Sequence, residues 1–155
     1  MIQRIQSLYL LLTSIASVLF LSGNFLSFFN DSGSRIFINY RGIWMEGPGG
    51  VLQMQESQII IPIVVILIII LSVITVFLYK NRKIQIKFAL AAIALSAALT
   101  ALTAWFAYSA GEKYQAVLNP GVRTFLPLII LLFSILAFMG IRKDENLVRS
   151  YDRLR

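Results

Sequence analysis

Residues 59–79 read IIIPIVVILIIILSVITVFLY, without a single Asp, Glu, Lys or Arg. A helix crosses the roughly 30 Å hydrocarbon core of a bilayer with about 20 apolar residues. A run so evenly apolar has no polar face to offer water, so it predicts a membrane-spanning or fully enclosed helix. Three further runs, 5–29, 88–108 and 124–141, are also free of Asp, Glu, Lys and Arg. The chain is 58% hydrophobic and 14% charged, against roughly a quarter charged in soluble domains. The class is therefore an integral membrane protein.

Between the runs the connectors 80–87 and 109–123 are short, which forces neighbouring helices to run antiparallel. The predicted fold is all-α: an up-down-up-down four-transmembrane-helix bundle over residues 1–141, with spans at 5–29, 59–79, 88–108 and 124–141. Between helices 1 and 2, residues 30–58 carry turn clusters around RIFINYRGIWM and VLQMQ, predicting a small extracytoplasmic β-hairpin. Tyr40 and Trp44 in it are candidates for interfacial anchoring or exterior contact. Pro62 and Pro127 fall close to predicted helix starts, where a missing N–H costs little. The first run follows Arg4 as a signal peptide would. Bulky Phe20 and Leu21 stand where cleavage wants small residues, and a retained helix is expected.

Charge sets the orientation. Arg4, Lys80, Arg82, Lys83, Lys87, Arg142, Lys143, Arg149, Arg153 and Arg155 fall on the side of the two termini. Only Arg35, Arg41, Lys113 and Arg123 fall on the other, where Asp31, Glu46, Glu56 and Glu112 balance them. The net charge of +7 thus lies on one side. Lys and Arg in short loops stay cytoplasmic, so both termini are expected in the cytoplasm of a bacterial cell, beside an anionic inner leaflet. That accounts for the basic character without nucleic acid, for which no motif exists.

The chain has no Cys and no His, which removes disulfides, thiolate chemistry and the usual zinc and haem ligands. Proton relays and ion pathways need ionisable groups inside the spans, and the four runs have none. Ser72 and Ser134 lack any base nearby in the sequence pattern. No cofactor, metal or catalytic residue is expected, and the protein is not expected to be an enzyme.

What remains is contact chemistry. Ala94, Ala97, Ala98, Ala101 and Ala104 recur at helical spacing, and small residues let membrane helices approach closely. The spacing predicts packing within the bundle, with a dimer or partner face as the other use. Beyond residue 141 the tail 142–155 places Leu147, Tyr151 and Leu154 at i, i+4 and i+7, with Val148 beside them and Arg149 and Arg153 on other faces. That is a cytoplasmic amphipathic helix, with Asp144 and Glu145 placed near its start for the helix dipole. It can lie on the anionic inner leaflet, fold against the chain's own cytoplasmic helix ends or dock a partner, and a docked helix is the expectation.

The opening MIQRIQSLYLLL, the connector KNRKIQIK and the closing IRKDENLVRSYDRLR resemble a family of small bacterial inner-membrane proteins known by a domain of unknown function. The matching positions are Ile2, Gln3, Arg4, Ile5 and Gln6 at the start. At the end they are Arg142, Lys143, Asp144, Glu145, Leu147, Val148, Arg149, Ser150, Asp152, Arg153 and Leu154. The resemblance implies four membrane helices and a charge-rich cytoplasmic carboxyl end, and it carries no activity with it. The expected function is a non-enzymatic accessory or scaffolding subunit that meets a membrane-protein partner or a second copy of itself. The alternative is a membrane protein that binds lipid or an apolar small molecule.

Overall fold

Two apolar periodicities alternate along the chain, one of 3.5 to 3.6 residues and one of two, and each builds its own layer. The computed structural model describes residues 3–30, 35–46 and 50–152. Its elements are α1 (Gln3–Leu21), β1 (Leu26–Asn30), β2 (Arg35–Asn39), β3 (Gly42–Glu46), β4 (Leu52–Ser57), α2 (Ile60–Phe77), α3 (Arg82–Tyr114), β5 (Ala116–Leu118) and α4 (Leu126–Asp152). Single 3₁₀ turns at Leu78–Lys80 and Val122–Phe125 lead into α3 and α4.

The helices pack as a ring in which α1 and α3 each touch α2 and α4. Every helix buries one stripe at alternating spacings of three and four. In α1 it is Gln6, Leu10, Thr13, Ser17 and Phe20; in α2, Ile61, Val65, Ile68, Ser72 and Thr75; in α4, Ile130, Ser134, Ala137, Ile141 and Asp144. Such spacing gives the shallow crossing of i±3 ridges in i±4 grooves. Mid-ring the stripes are small and hydroxylated. Their hydroxyls mostly donate back to their own helices: Thr13 to the Tyr9 carbonyl at 2.9 Å, Ser17 to Thr13 at 2.8 Å and Ser134 to Ile130 at 2.8 Å. Ser72 is the exception, its buried hydroxyl without a hydrogen-bond partner among the described residues, and the ring closes on small side chains.

The strands form one antiparallel sheet in the order β4-β3-β2-β1-β5. Leu26, Phe28, Ile36, Ile38 and Ile43 point to one face and join Phe20, Ile61, Ala110 and Leu126 in a single buried cluster. The sheet therefore caps the ring where α1 ends and α2 begins. The expectation of an all-α bundle with one small hairpin is overturned. The first apolar run is not one helix over 5–29: α1 stops at Leu21, the chain turns through Ser22, Gly23 and Asn24, and Leu26 to Asn30 alternate inward and outward as a strand. RIFINYRGIWM is not one strand but two, β2 and β3, folded about Tyr40 and Arg41. VLQMQ returns in β4 against β3. The exterior connector supplies β5, after Gln115 takes a left-handed φ of 45° and ends α3.

Asn39 makes the β2–β3 turn. Its side-chain oxygen accepts from the N–H of Arg41 at 2.9 Å, the N–H of Gly42 at 3.2 Å and the Trp44 indole at 3.2 Å. Gly42 follows with φ of 154°, and a Cβ there would lie 1.9 Å from the Glu56 carbonyl oxygen. Only glycine permits that approach, beside the irregularity between Ile43 and Trp44.

Among the described residues three helices are long and apolar enough to cross a membrane: Ile60–Phe77, Arg82–Tyr114 and Val122–Leu147. The apolar part of α1, Ile5–Leu21, is shorter. Pro62 and Pro127 sit in the first turns of α2 and α4. No break separates the tail from α4, which runs on past Ile141 as one helix.

Candidate functional site

Outside the ring the helices differ. Three of them present bulky side chains: α1 shows Leu8, Leu11, Ile15 and Leu19; α2 shows Ile63, Ile66, Ile70 and Val73; α4 shows Leu128, Leu132, Ile135 and Met139. On α3 every exposed residue between Leu90 and Trp105 is alanine: Ala91, Ala94, Ala97, Ala98, Ala101 and Ala104. The predicted use of these alanines inside the bundle is thereby corrected. The packing stripe of α3 is Gln85, Ala89, Ala92, Ser96, Leu99, Thr103 and Ala110, roughly half a turn away. The helix has two small faces, and sequence spacing alone could not say which one turns inward.

The outward strip from Ala91 to Ala104 covers about 20 Å of helix axis at 1.5 Å per residue. At the sheet end it opens into a groove of about 300 Å³ between α3 and the start of α4, lined by Thr100, Thr103, Ala104, Ala107, Pro127 and Leu128 among others. Thr100 borders it, its hydroxyl shared between the carbonyls of Ser96 at 2.9 Å and Pro127 at 3.3 Å. Trp105 and Tyr108 stand at the same end, 68% and 65% exposed.

A polar cluster closes the other end of the ring. Asp144 is only 7% exposed. The Gln6 side-chain amide donates to one Asp144 carboxylate oxygen and, at 3.0 Å, to the Gly140 carbonyl. The other carboxylate oxygen, Oδ1, is buried with no hydrogen-bond partner among the described residues. Arg82 donates to the Asp144 main-chain carbonyl at 3.1 Å, and Gln85 to that of Thr75 at 3.1 Å. Gln6, Ser7, Tyr79, Arg82, Gln85 and Asp144 surround a cavity of about 10 Å³, the size of one water. Asp144 is thus no helix-start residue, as its place in the sequence implied; it continues the buried stripe of α4 at the point where all four helices converge.

A family model described as "Domain of unknown function (DUF4293)" matches residues 2–154. The chain belongs to this family. No curated protein and no solved structure matches it. In this DUF4293 chain the two terminal motifs that carry the resemblance meet in space, through Gln6 and Asp144.

The remaining candidate residues are placed as follows. Leu147 is 41% exposed on α4. Val148, Arg149 and Tyr151 lie on the last turns of the same helix, while Arg153 and Leu154 fall outside the described residues. Tyr40 sits at the tip of the β2–β3 turn with the Arg41 guanidinium 5.4 Å above its ring. Trp44 is paired across strands with Phe37 and Met54 on the sheet face turned away from the helices, its indole N–H held by Asn39. Among the described residues no group of three or more His, Cys, Asp or Glu is placed to share a metal ion. The polar cluster gave one signal in sequence: Gln85 and Asp144 each extend a helical stripe past an apolar run, and Gln6 begins one at the edge of the first.

Proposed function

We propose that this protein is a non-enzymatic membrane scaffold or accessory subunit that associates laterally with a membrane helix through α3. The single observation behind this reading is the all-alanine outer strip of α3 beside three helices with bulky outer faces. In lipid, large side chains gain nothing by leaving the acyl chains, so association favours surfaces where backbones approach closely. The strip covers about two-thirds of a roughly 30 Å hydrocarbon core. The reading includes four membrane crossings in an inner membrane with both termini in the cytoplasm, on the strength of the Lys and Arg distribution.

The chain has no native cysteine, so single cysteines can be introduced without background. Ala97→Cys and Ala101→Cys are expected to crosslink to one defined species in native membranes, and Ile66→Cys and Leu132→Cys to give none. Equal crosslinking from all four positions, or none from α3, refutes the proposal. The groove next to Thr100 supports a second reading, in which an acyl chain or apolar molecule occupies it. A Leu128→Trp variant that fills the groove should then lose a co-purified lipid seen by mass spectrometry while keeping the α3 crosslink.

A further inference from the structure

Along one flank of α4, Phe138, Met139, Arg142, Lys143, Asn146 and Leu147 border an open groove of about 470 Å³. Their positions, i, i+1, i+4, i+5, i+8 and i+9, put them on one face of a continuous helix. The flank is graded. Phe138 and Met139, the latter 60% exposed, end an apolar run that carries no charge from residue 124 onward. Arg142 and Lys143, both exposed, follow within one turn, and the Asn146 carboxamide lies one turn further on.

Two carboxylates lie close in sequence, but the nearer is spent elsewhere. Asp144 is turned into the ring against Gln6, and Glu145 is not among the residues bordering the groove. Among the described residues no ion pair involves Arg142 or Lys143. The groove therefore offers two cations and an amide donor at the end of an apolar wall, at the level where α4 leaves its uncharged stretch.

We propose that this flank is a binding site for one anionic phospholipid. Arg142 and Lys143 meet the headgroup phosphate, Asn146 donates to it, and an acyl chain lies along Phe138 and Met139. Charge complementarity selects the occupant, because a zwitterionic headgroup would bring a third cation against the two already there. The site rests on α4 crossing the bilayer. It is independent of the α3 contact, so either can fail without the other.

The experiment uses the purified full chain in detergent and measures retained lipid by native mass spectrometry. Phosphatidylglycerol, phosphatidylcholine and inorganic phosphate are added separately. A basic residue near a membrane surface attracts anionic lipid strongly enough that two of them give about a thirtyfold preference for phosphatidylglycerol over phosphatidylcholine. Arg142→Gln/Lys143→Gln should abolish that preference, Met139→Ala should weaken retention of both lipids, and Lys83→Gln/Lys87→Gln should leave the preference intact. Circular dichroism confirms that each exposed-site variant is folded. The proposal is overturned if the wild-type chain shows no preference or if the preference survives Arg142→Gln/Lys143→Gln. It is equally overturned if the Lys83→Gln/Lys87→Gln variant loses as much, which marks a diffuse charge effect, or if inorganic phosphate displaces the lipid, which marks a free-anion site.

Discussion

The Gln6–Asp144 contact makes an asymmetric prediction. The carboxylate is buried and, among the described residues, its side-chain donor is Gln6, while its second oxygen has none. Gln6→Ala leaves the whole carboxylate without a side-chain donor in a closed site. A buried acceptor stripped of its partner costs about 1–3 kcal/mol, and more when charged, so about 3 kcal/mol is expected here. Asp144→Leu removes the group that demanded the donor and the orphaned oxygen with it. The Gln6 amide keeps the Gly140 carbonyl at 3.0 Å, so the loss should be about 1 kcal/mol. Replacing both partners by apolar groups of similar volume is often nearly neutral. Gln6→Leu/Asp144→Leu should therefore be more stable than Gln6→Ala alone.

For a chain of this length 1 kcal/mol moves the melting temperature by about 2–4 °C. Thermal unfolding in detergent, followed by far-ultraviolet circular dichroism, should show Gln6→Ala lowered by about 6–12 °C. The double variant should regain most of that. The coupling between the two positions is then about 3 kcal/mol, at the upper end of the range for residues in direct contact. Additive effects of Gln6→Leu and Asp144→Leu would refute the reasoning, since they would mean that the two side chains do not depend on each other. Gly140→Ala supplies an independent check. Its Cβ would lie 2.8 Å from the Gln6 Cγ, so it should displace the same amide and resemble Gln6→Ala.

Three further outcomes concern the sheet. Gly42→Ala should release β4 from β3 at a cost of about 3 kcal/mol, since it combines backbone strain with a contact against the Glu56 carbonyl; hydrogen exchange should rise in the β4 amides and not in α2 or α4. Asn39→Ala deprives two main-chain donors and the Trp44 indole of their acceptor, so it should cost about 1–2 kcal/mol and shift the Trp44 emission. Lys113→Ala breaks the exposed ion pair with Glu56; exposed pairs contribute little, and the melting temperature should stay unmoved at any salt concentration.

The helices were legible because their signal is long: 59–79 admits nothing but a helix, and α2 lies within it. The sheet was hidden by the same signal. Phe25, Leu26, Phe28 and Phe29 prolong the first apolar run, and hydrophobicity alone does not separate a strand covering the end of a bundle from the last turns of a helix. The break was present in Ser22-Gly23-Asn24, with alternation after it, but five residues of alternation weigh little beside twenty of grease. β5 is three residues long and exists only because β1 is there to pair with. The direction of the α3 alanines was not legible at all. A helix with alanine on two sides has little difference between its faces, and the choice is made by neighbours that sequence spacing does not name.

The position of Asp144 changes what the apolar runs mean for function. The sequence places a boundary at Ile141, with membrane before it and a soluble tail after it. The buried stripe of α4 ignores that boundary and continues from Ile141 to Asp144, because a helix keeps its phase whatever solvent surrounds it. The core therefore ends in a carboxamide–carboxylate contact rather than at the last apolar residue, and the outer flank of the same turn is left to Arg142 and Lys143. One turn of helix thus faces two ways, binding α1 on the inside and presenting cations outside. A tilt of α4 driven by contacts on that outer flank would have to move Asp144 against Gln6, and would reach the start of α1 directly. Crosslinking Gln6→Cys to Asp144→Cys should hold α4 in place and leave phosphatidylglycerol retention at Arg142 and Lys143 unchanged if the two faces act independently; a loss of retention on crosslinking would show that lipid binding needs that movement.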